Sequence, residues 1–413
     1  TSSARRKTQL LSFRDDIQLK DLRGNVLTRV QKLRDGQYDA ILLAAAGVER
    51  LDLDLGEFHV EILDPREFIP APAQGALALQ IRDEDKKLFQ TLQKLNDTEV
   101  EDIVGIERKV LNLFEGGCQL PLGVYCEKDD EETLYKVWVA KAEAWNDIPK
   151  RLYFESKKKE GLADRIVEKI NNIKPTSVYI TRDIKQSGFF YRSLTANGYE
   201  VVGKSLITIK QIAFKRFPDT DWVFFSSKNA VRHFFAAQSG FTSRPDAGSP
   251  LAAAWEENHG GRKVKYAVIG KATAAALRQY GKRTDFIGYS ADTKLTGKQF
   301  ASATNGGLVL FPQAKGSLRT IQQQFVDPSK VKDLVVYETI QLDDIKIPKT
   351  EIVIFTSPSN VNAYFETNKI SPEQKVIAIG SSTGNALIQL GIKSYKMPDT
   401  FDDLGLLHVV FGI

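Results

Sequence analysis

Apolar positions repeat at helical spacing ahead of two glycines in the first third of the 413-residue chain. Ile103, Ile106 and Val110 recur at intervals of three and four residues, and a glycine pair begins at Gly116. This spacing predicts an amphipathic helix that ends at the glycines. Cys118 would then lie in a loop just past the carboxyl end of that helix.

Alternation of apolar and polar residues follows this loop. LYKVWVAKAEAW and KRLYFES have a period of two, which predicts antiparallel strands. The charged stretch after them predicts one helix and a linker that ends near Pro175. Nearer the amino terminus, NVLTRVQKLRDG predicts a helix, and YDAILLAAAGVERL predicts a short buried strand that runs into a glycine-marked turn.

From Ser177 onward strands and helices alternate, which is typical of open parallel sheets. Two pairs of segments echo one another here. WVFFSSKNAVRHFF resembles IVIFTSPSNVNAYF, and KYAVIGKATAAALRQYG resembles KVIAIGSSTGNALIQLG. The offsets of the two pairs differ, so the pattern indicates two similar α/β domains in tandem and not a solenoid of fixed period.

Each echoed unit is an apolar strand, a Gly/Ser/Thr turn and a helix. Such a turn presents amide N–H groups and hydroxyls at a helix N-terminus, which suits carboxylate or phosphate oxygens. Four such turns facing one cleft would bind a polyanion. The alternative is that the hydroxyls only cap the helices. The turns match neither G-x-G-x-x-G nor a P-loop, and this half holds no Ser-His-Asp motif and no metal-ligand cluster.

Composition gives the net charge of the chain and indicates its cellular compartment. The net charge is +5, and residues 1–34 hold nine Lys and Arg against three Asp. That basic arm could face nucleic acid or solvent. The sequence has no apolar run long enough to span a bilayer and no signal peptide, and its two cysteines indicate a reducing compartment, so we expect a cytoplasmic protein. The four scattered histidines offer no zinc-ligand spacing.

Two side chains are candidates for covalent or acid–base chemistry. Cys118 is either a small buried apolar residue or, given the glycines before it and Pro121 after it, an accessible loop thiol. Cys126 lacks such surroundings and is taken as structural. Tyr337 alternates with Val335 and Thr339, which predicts that these three side chains share one strand face.

Residues 1 to about 155 closely resemble porphobilinogen deaminase (hydroxymethylbilane synthase), through TSSARRKTQL, LRGNVLTRVQKL, YDAILLAAAGVERL, PAPAQGALALQIR and LFEGGCQLPLGVY. The resemblance implies that Cys118 carries a dipyrromethane cofactor through a thioether. It also implies that carboxylates of the cofactor and of porphobilinogen meet a basic cleft. The matching positions are Ser3, Arg5, Arg6, Arg23 and Arg29 for the cofactor and Arg50 for the substrate.

The resemblance also implies domain limits. Residues 1–91 would be an incomplete second deaminase domain with a return segment of the first, and residues 92–160 would be the third. Most of the family's first domain, with an aspartate that assists condensation, would lie upstream of Thr1. We therefore expect the deaminase reaction to be inactive in this sequence and present in a full-length parent.

Residues from about 176 to 413 resemble uroporphyrinogen-III synthase, through VFFSSKNAV, YAVIGKATAAAL, VVYETI, IFTSPSNV and VIAIGSSTGNALIQLG. The implied fold is two α/β lobes, at 176–208 with 341–413 and at 213–335, joined by SLITIKQIAF and VKDLVVYETIQL. The implied reaction is the cyclisation of hydroxymethylbilane with inversion of the last ring, using no cofactor or metal. Tyr337 matches a tyrosine proposed to help the hydroxyl leave. The positions matching substrate-binding residues are Ser226, Ser227, Lys228, Thr273, Thr356, Ser357 and Thr383.

The whole chain is thus predicted to be α/β, with partial deaminase α/β and α+β domains followed by a two-lobed synthase built on parallel sheets. Its predicted partners are small molecules, hydroxymethylbilane and porphobilinogen, without nucleic acid or membrane, and we expect a monomer. Two alternatives stay open at this point. A two-lobed protein could bind a small molecule without catalysis, and the basic arm could bind nucleic acid.

Overall fold

The computed structural model describes residues 1–115, 120–129, 131, 133–214, 218–238, 264–288, 293–343 and 345–413. Cys118 lies outside these residues. The chain divides into two units, Thr1–Ser205 with Lys346–Ile413 and Leu206–Ile345. The chain therefore leaves the first unit after Ser205 and returns to it at Lys346. The domain limits predicted from the sequence stay predictions.

The described helices and strands follow in chain order. The helices are α1 (Ala4–Phe13), α2 (Val26–Arg34), α3 (Ala45–Glu49), α4 (Lys86–Leu92), α5 (Thr98–Leu113), α6 (Leu162–Asn171), α7 (Phe189–Ala196), α8 (Lys228–Gln238), α9 (Gly270–Arg278), α10 (Thr293–Ala303), α11 (Pro358–Thr367), α12 (Ser381–Gln389) and α13 (Asp403–Phe411). Short 3-10 helices occupy Gln93–Leu95, Gln322–Gln324 and Pro328–Lys330. The strands are β1 (Leu122–Asp129), β2 (Leu134–Lys141), β3 (Lys150–Ser156), β4 (Ser177–Ile180), β5 (Glu200–Gly203), β6 (Ile207–Gln211), β7 (Trp222–Phe225), β8 (Lys265–Ile269), β9 (Phe286–Gly288), β10 (Val309–Ala314), β11 (Val331–Gln341), β12 (Ile352–Phe355) and β13 (Lys375–Ala378).

The amino-terminal segment bears out one sequence prediction and overturns another. The predicted helix is α2, and Asn25 caps it by accepting a 2.9 Å hydrogen bond from the backbone N–H of Thr28. The strand predicted near residues 38–44 is wrong, because these residues form no strand and the short helix α3 follows them. A strand requires a hydrogen-bonded neighbour, and none of the described strands pairs with this stretch.

A three-stranded antiparallel sheet, in the order β1-β2-β3, occupies the middle of the first unit. The predicted alternating segments form β2 and β3, the predicted helix before them is α5, and the charged stretch after them forms α6. Asp97 caps α5 by accepting from the backbone N–H groups of Glu99 and Val100. The periodicities of 3.6 and 2 therefore predicted these elements correctly.

Both faces of this antiparallel sheet are buried. Val137, Val139 and Leu152 point to one face and pack with residues of α5 and α6. Trp138 and Tyr153 point to the other and share one apolar cluster with residues of β4, α7 and α13. Because successive side chains point to opposite faces of the sheet, the two faces belong to two different apolar cores. The second core joins sequence that resembles the deaminase to sequence that resembles the synthase.

A four-stranded parallel sheet, in the order β13-β12-β4-β5, completes the first unit. Its strands are short and buried, with Ile352, Ile354 and Phe355 at 1% exposure or less. Such near-continuous apolar strands are typical of parallel sheets covered on both faces. The echoed segments predicted as strand, turn and helix form β12 with α11 and β13 with α12.

The second unit contains a six-stranded sheet in the order β6-β11-β10-β7-β8-β9. All its pairs are parallel except β6 with β11. The two segments predicted as linking strands form β6 and β11, and the remaining echoed segments form β7 with α8 and β8 with α9. The predicted α/β class with parallel sheets is confirmed. Among the described helices, none has the length and apolar character needed to cross a bilayer.

Candidate active site

Tyr337 and Ser227 meet inside the second unit, at the turn between β7 and α8. The Ser227 hydroxyl lies 3.3 Å from the hydroxyl of Tyr337, and either oxygen can donate. Ser227 also accepts a 3.1 Å hydrogen bond from the backbone N–H of Ala230, so it caps the first turn of α8. The structure thus brings the predicted catalytic tyrosine to one of the predicted substrate-binding serines.

The strand face of Tyr337 differs from the sequence prediction. The alternation of Val335, Tyr337 and Thr339 predicted one shared face, but Val335 and Thr339 are exposed whereas Val336 and Tyr337 are both buried. The register of β11 against β10 shifts at this point, because Gln313 pairs with Val335 and the next residue of β10 pairs with Tyr337. Such an irregularity inserts one residue and resets the alternation between Val335 and Tyr337. Thr339 lies past the shift, in regular register with β6, so its shared face with Tyr337 stays a prediction.

His233 on α8 is a neighbour of Tyr337 that the sequence analysis did not assign to the site. The two ring centroids are 5.5 Å apart, and Nδ1 of His233 is buried without a hydrogen-bond partner among the described residues. Burial lowers the pKa of His233, and the positive charge of Arg232 lowers it further. One feature of the sequence could have indicated His233 as a site residue. It stands among apolar residues on the helix that follows the Ser-Ser turn.

Two turns lie side by side at the carboxyl edge of the second sheet. Phe225, the last residue of β7, pairs with Val268 of β8, and the turns that follow lead into α8 and α9. Ser226 and Lys228 are exposed at the first turn, whereas Thr273 on α9 is 5% exposed. Carboxyl edges of parallel strands are where ligands collect in open α/β sheets.

In the first unit, the hydroxyls of Thr356 and Ser357 are engaged by the protein itself. Thr356 donates from Oγ1 to the backbone oxygen of Thr181 at 2.9 Å, and its N–H donates to Oγ1 of Thr181 at 3.0 Å. Ser357 caps α11 by accepting from the backbone N–H of Asn360 at 3.2 Å. The capping alternative therefore describes both Ser227 and Ser357, and a role in ligand binding stays a prediction.

Thr383 lies on α12, beside this turn. β12 and β13 are paired up to Phe355 and Ala378, so the turns that follow them are adjacent at the carboxyl edge. Thr383 is 1% exposed, and its backbone N–H donates to the oxygen of Gly380 at 3.1 Å. Its predicted contact with substrate therefore requires access to a side chain that the fold encloses.

Helix α1 carries three of the residues predicted to bind cofactor. Ser3 caps the helix by accepting from the backbone N–H of Arg6 at 3.4 Å. Arg5 is buried and donates to the oxygen of Ile69 at 2.7 Å and to Oε1 of Gln74 at 3.2 Å. Burial lowers the pKa of Arg5 to about 10, with a smaller contribution from Arg6. The guanidinium of Arg5 therefore holds the 69–74 loop.

Arg6 and Arg29 form a cationic pair. Arg6 donates to the oxygen of Leu42 at 2.8 Å, and Arg29 donates to the oxygen of Gly24 at 2.7 Å. Burial lowers the pKa of Arg6, and the charge of Arg29 lowers it further. Within the described part of the chain, neither guanidinium has a carboxylate oxygen within 4.0 Å.

The two remaining predicted arginines lie at the surface. Arg23 is exposed, and Arg50 is exposed and donates to the oxygen of Gly75 at 3.1 Å. Among the residues that the structure describes, no group of three or more His, Cys, Asp or Glu side chains is placed to hold a metal ion.

The profile of the family described as uroporphyrinogen-III synthase HemD matches residues 189–408, which is more than half of the chain. The chain belongs to the uroporphyrinogen-III synthase family. The match covers both parallel sheets except β4, and it includes Tyr337 and all seven predicted synthase site residues. A second profile, described as the dipyromethane cofactor binding domain of porphobilinogen deaminase, matches residues 1–90. The synthase-family segment is therefore fused to a segment similar to a deaminase domain, as predicted.

Curated relatives match about a third of this synthase-family chain. Porphobilinogen deaminases of Bacillus mycoides (strain KBAB4) and Bacillus cereus (strain G9842) are each 46% identical over 134 residues, which is 32% of this chain. The match spans 43% of the length of either relative. Among solved structures, uroporphyrinogen-III synthetase from Helicobacter pylori 26695 aligns at 18% identity and a TM-score of 0.42, over 57% of this chain and 99% of that one.

Proposed function

We propose that this chain cyclises hydroxymethylbilane to uroporphyrinogen III. The last pyrrole ring is inverted, and the hydroxyl of the substrate's hydroxymethyl group is lost as water. The family membership of residues 189–408 supports the reaction. The observation that carries a catalytic role is the contact between the hydroxyls of Tyr337 and Ser227. It places an acidic O–H group at the carboxyl edge of a parallel sheet, where α/β ligands bind.

In this mechanism Tyr337 acts as the general acid. Its proton passes to the departing hydroxyl, the carbon–oxygen bond breaks, and water leaves. The substituted α-carbon of the last pyrrole then bonds the methylene that lost the hydroxyl, and the bond from this α-carbon to its own bridging methylene breaks. The freed methylene bonds the other α-carbon of the same ring, and that carbon releases its proton, which closes the ring with the last pyrrole inverted. The Ser227 hydroxyl orients the O–H of Tyr337, and His233 packs on its ring. General acids of this kind contribute about 10²–10⁴-fold to a rate.

Substrate carboxylates would bind at the strand–turn–helix units. Ser226 and Lys228 are exposed at the first of these turns, so we assign them direct contacts. Ser227, Thr356 and Ser357 already hold their own turns, so their contribution would come through the backbone N–H groups they orient. The roles of Thr273 and Thr383 are proposed with them.

Porphyrin isomer analysis tests the cyclisation. The chain is incubated with freshly made hydroxymethylbilane, and the oxidised products are separated by chromatography. We expect the type III isomer. A two-lobed protein that binds without catalysis would leave only the spontaneous type I product, and that result would refute the proposal.

For residues 1 to about 155, we propose the deaminase function of a full-length parent, the polymerisation of porphobilinogen. The pair Arg6 and Arg29 fits a polycarboxylate, because two partly enclosed guanidinium groups there have no carboxylate partner among the described residues. Ser3, Arg5, Arg6, Arg23 and Arg29 would hold the carboxylates of a dipyrromethane, with Arg50 on the substrate. When bound, that group supplies the chain end to which further pyrroles are added.

Attachment of dipyrromethane to Cys118 is proposed from the motif, since this residue lies outside the described ones. An intact mass of the purified chain tests it. We expect an added dipyrromethane that a Cys118→Ser variant lacks, whereas a Cys126→Ser variant keeps it. An adduct that survives the loss of Cys118 would refute the assignment.

We further propose a cytoplasmic monomer that binds neither nucleic acid nor membrane, with domain limits at 1–91, 92–160, 176–208 with 341–413, and 213–335. Sedimentation tests the oligomeric state. Salt-dependent binding to arbitrary DNA would favour the nucleic-acid alternative for the basic arm.

A further inference from the structure

A cleft of about 970 Å³ lies within the first unit, between the antiparallel sheet and the segment that carries α13. Trp138 and Tyr153 line it from the sheet, and His408 lines it from α13. The indole N–H of Trp138 donates to Nε2 of His408 at 2.9 Å, and the Tyr153 ring stacks on the imidazole at 4.8 Å. These three rings contact one another and form the aromatic floor of the cleft. None of the residues that line the cleft belongs to the site described above.

Two lysines contribute positive charge to the lining of the cleft. Lys169 on α6 and Lys396 after β13 line it from two different segments. In the described part of the chain, neither ammonium group has a carboxylate oxygen within 4.0 Å. Burial lowers the pKa of Lys169, and the charges of Lys396 and Lys375 lower it further. These lysines repel one another, and a bound anion would relieve that repulsion.

Carboxylates also line the cleft. They include Asp399, Asp402 and Asp64. Asp402 and Asp64 act electrostatically on His408, and Asp399 acts on Tyr153, so these carboxylates lie near the aromatic floor. Arg66 also lines the cleft and acts on His408 and Tyr153, but it pairs with Glu127 at 2.9 Å, and Lys136 in the lining pairs with Asp129 at 2.9 Å. The cleft therefore presents lysines and aspartates that lie outside these ion pairs.

We propose that this cleft binds a small amino-dicarboxylate, whose carboxylates pair with Lys169 and Lys396 and whose ammonium group pairs with Asp399. Both ends of such a ligand would meet the opposite charge. Porphobilinogen has this chemistry, with two carboxylates and an aminomethyl group on a flat ring, and choosing it as the ligand rests on the proposed function. Glutamate has the same charges without a ring.

The presence of both signs of charge also argues against a simple anion site. Inorganic phosphate would gain from the lysines but would meet three carboxylates nearby, with no positive group of its own to offset their repulsion. A zwitterion gains at both ends. The preference for a zwitterion over phosphate is therefore the property that distinguishes this cleft from a basic surface patch.

Hydrogen–deuterium exchange locates the ligand on the whole chain, with porphobilinogen, glutamate and inorganic phosphate as separate probes at equal concentration. We expect at least one of the two zwitterions to slow exchange in peptides that contain Lys169 and Lys396–Asp402. Peptides from α4, which bears the exposed Lys87, serve as the internal control. A response to porphobilinogen alone would identify the ring as part of recognition, and a response to both would assign it to the charges.

Calorimetry on variants tests the lysines. We expect Lys169→Gln with Lys396→Gln to weaken zwitterion binding about tenfold or more, since each removes a charge-assisted hydrogen bond, and Asp399→Asn to weaken it as well. Lys87→Gln is the matched control and should leave the affinity unchanged. If the double variant does not fold, the exchange experiment on the unsubstituted chain still decides.

Three results would overturn the inference: no slowed exchange at either cleft peptide, equal slowing by phosphate, or an affinity that the lysine variants do not change. The isomer assay on the unsubstituted chain decides the proposed function separately. If the chain forms the type III isomer but shows no lysine-dependent zwitterion binding, the proposed binding site is refuted and the proposed cyclisation is not.

Discussion

The indole N–H of Trp138 donates a hydrogen bond to Nε2 of His408, 270 positions later in the chain. Trp138 lies on β2, before the synthase-family match begins, and His408 lies on α13 and is the last residue of that match. A protonated imidazole has no lone pair to accept this hydrogen bond. The bond therefore ties the antiparallel sheet to the end of the synthase-family match within the first unit and requires a neutral His408.

This requirement predicts a pH-dependent stability. Burial lowers the pKa of His408 from 6.5 to about 4. Because the pKa is depressed in the folded state, its stabilising contribution is complete above pH 6.5 and is lost as the pH falls toward 4. We expect the free energy of unfolding to decrease by about 3 kcal/mol over this window through His408.

Denaturant unfolding at pH 7 and pH 4 measures this loss. His408→Gln is the control, since its side-chain oxygen can accept from Trp138 without titrating in this window. The difference between the two proteins isolates the histidine from other titrating groups. Equal pH dependence in both would contradict the prediction.

Two helical glycines should respond to alanine with opposite signs. A Cβ on Gly405 of α13 would lie 2.1 Å from the backbone oxygen of Thr400, so Gly405→Ala forces the 400–405 turn apart. We expect a loss of about 1–3 kcal/mol in the free energy of unfolding. A Cβ on Gly105 of α5 meets no atom within 4 Å, so Gly105→Ala should raise stability by up to about 1 kcal/mol. Thermal unfolding of both variants checks the signs, and a stabilised Gly405→Ala would show that the turn yields freely.

Tyr337→Phe removes the hydroxyl near Ser227 and keeps the buried ring. If Tyr337 is the general acid, formation of the type III isomer should fall about hundredfold or more. The free energy of unfolding should fall by no more than about 1 kcal/mol, because one neutral hydrogen bond is lost. Initial rates and denaturant unfolding separate the two effects.

Tyr280→Phe provides the matched control for this prediction. Tyr280 lies in the same unit, stacked on Phe235 at 4.7 Å, and is not a predicted site residue. Its variant should retain the rate. A Tyr337→Phe enzyme that also retained the rate would remove this residue from the mechanism.

Arg6 should be needed for stabilisation by polycarboxylates. The pair Arg6 and Arg29 repels itself in the free protein, so a bound polyanion such as citrate should raise the melting temperature, by less at high salt. Arg6→Gln should reduce this rise. Arg14→Gln changes a guanidinium that already pairs with Asp16 and should leave it unaltered. An equal rise in all three proteins would show that citrate binds elsewhere.

Local patterns predicted most of the secondary structure. The helix over 98–113 and strands β2 and β3 follow from spacing within single segments, and the Ser227 and Ser357 caps follow from residue type at a strand–helix turn. The buried strand predicted near residues 38–44 failed for a physical reason, since its apolar run could not reveal whether a neighbour would pair with it.

The candidate site was predictable only in part. Sequence motifs named Tyr337 and Ser227 separately, and the fold brought their hydroxyls to 3.3 Å. The face of Tyr337 depends on a register shift against β10, and His233 enters through packing of α8 on β11. Neither contact can be predicted from the hydrophobic periodicity of its own segment.

The sequence by itself determined where strands and helices form in tandem α/β units, because hydrophobic period and capping chemistry act over a few neighbouring residues. Tertiary structure alone decided that the sheet bearing Trp138 shares a core with α13 and that a cleft lined by charges of both signs lies there. The physical reason is that burial of apolar surface is non-directional. An apolar face therefore does not specify its partner, and which faces of distant segments pack together depends on how their shapes fit in the folded chain.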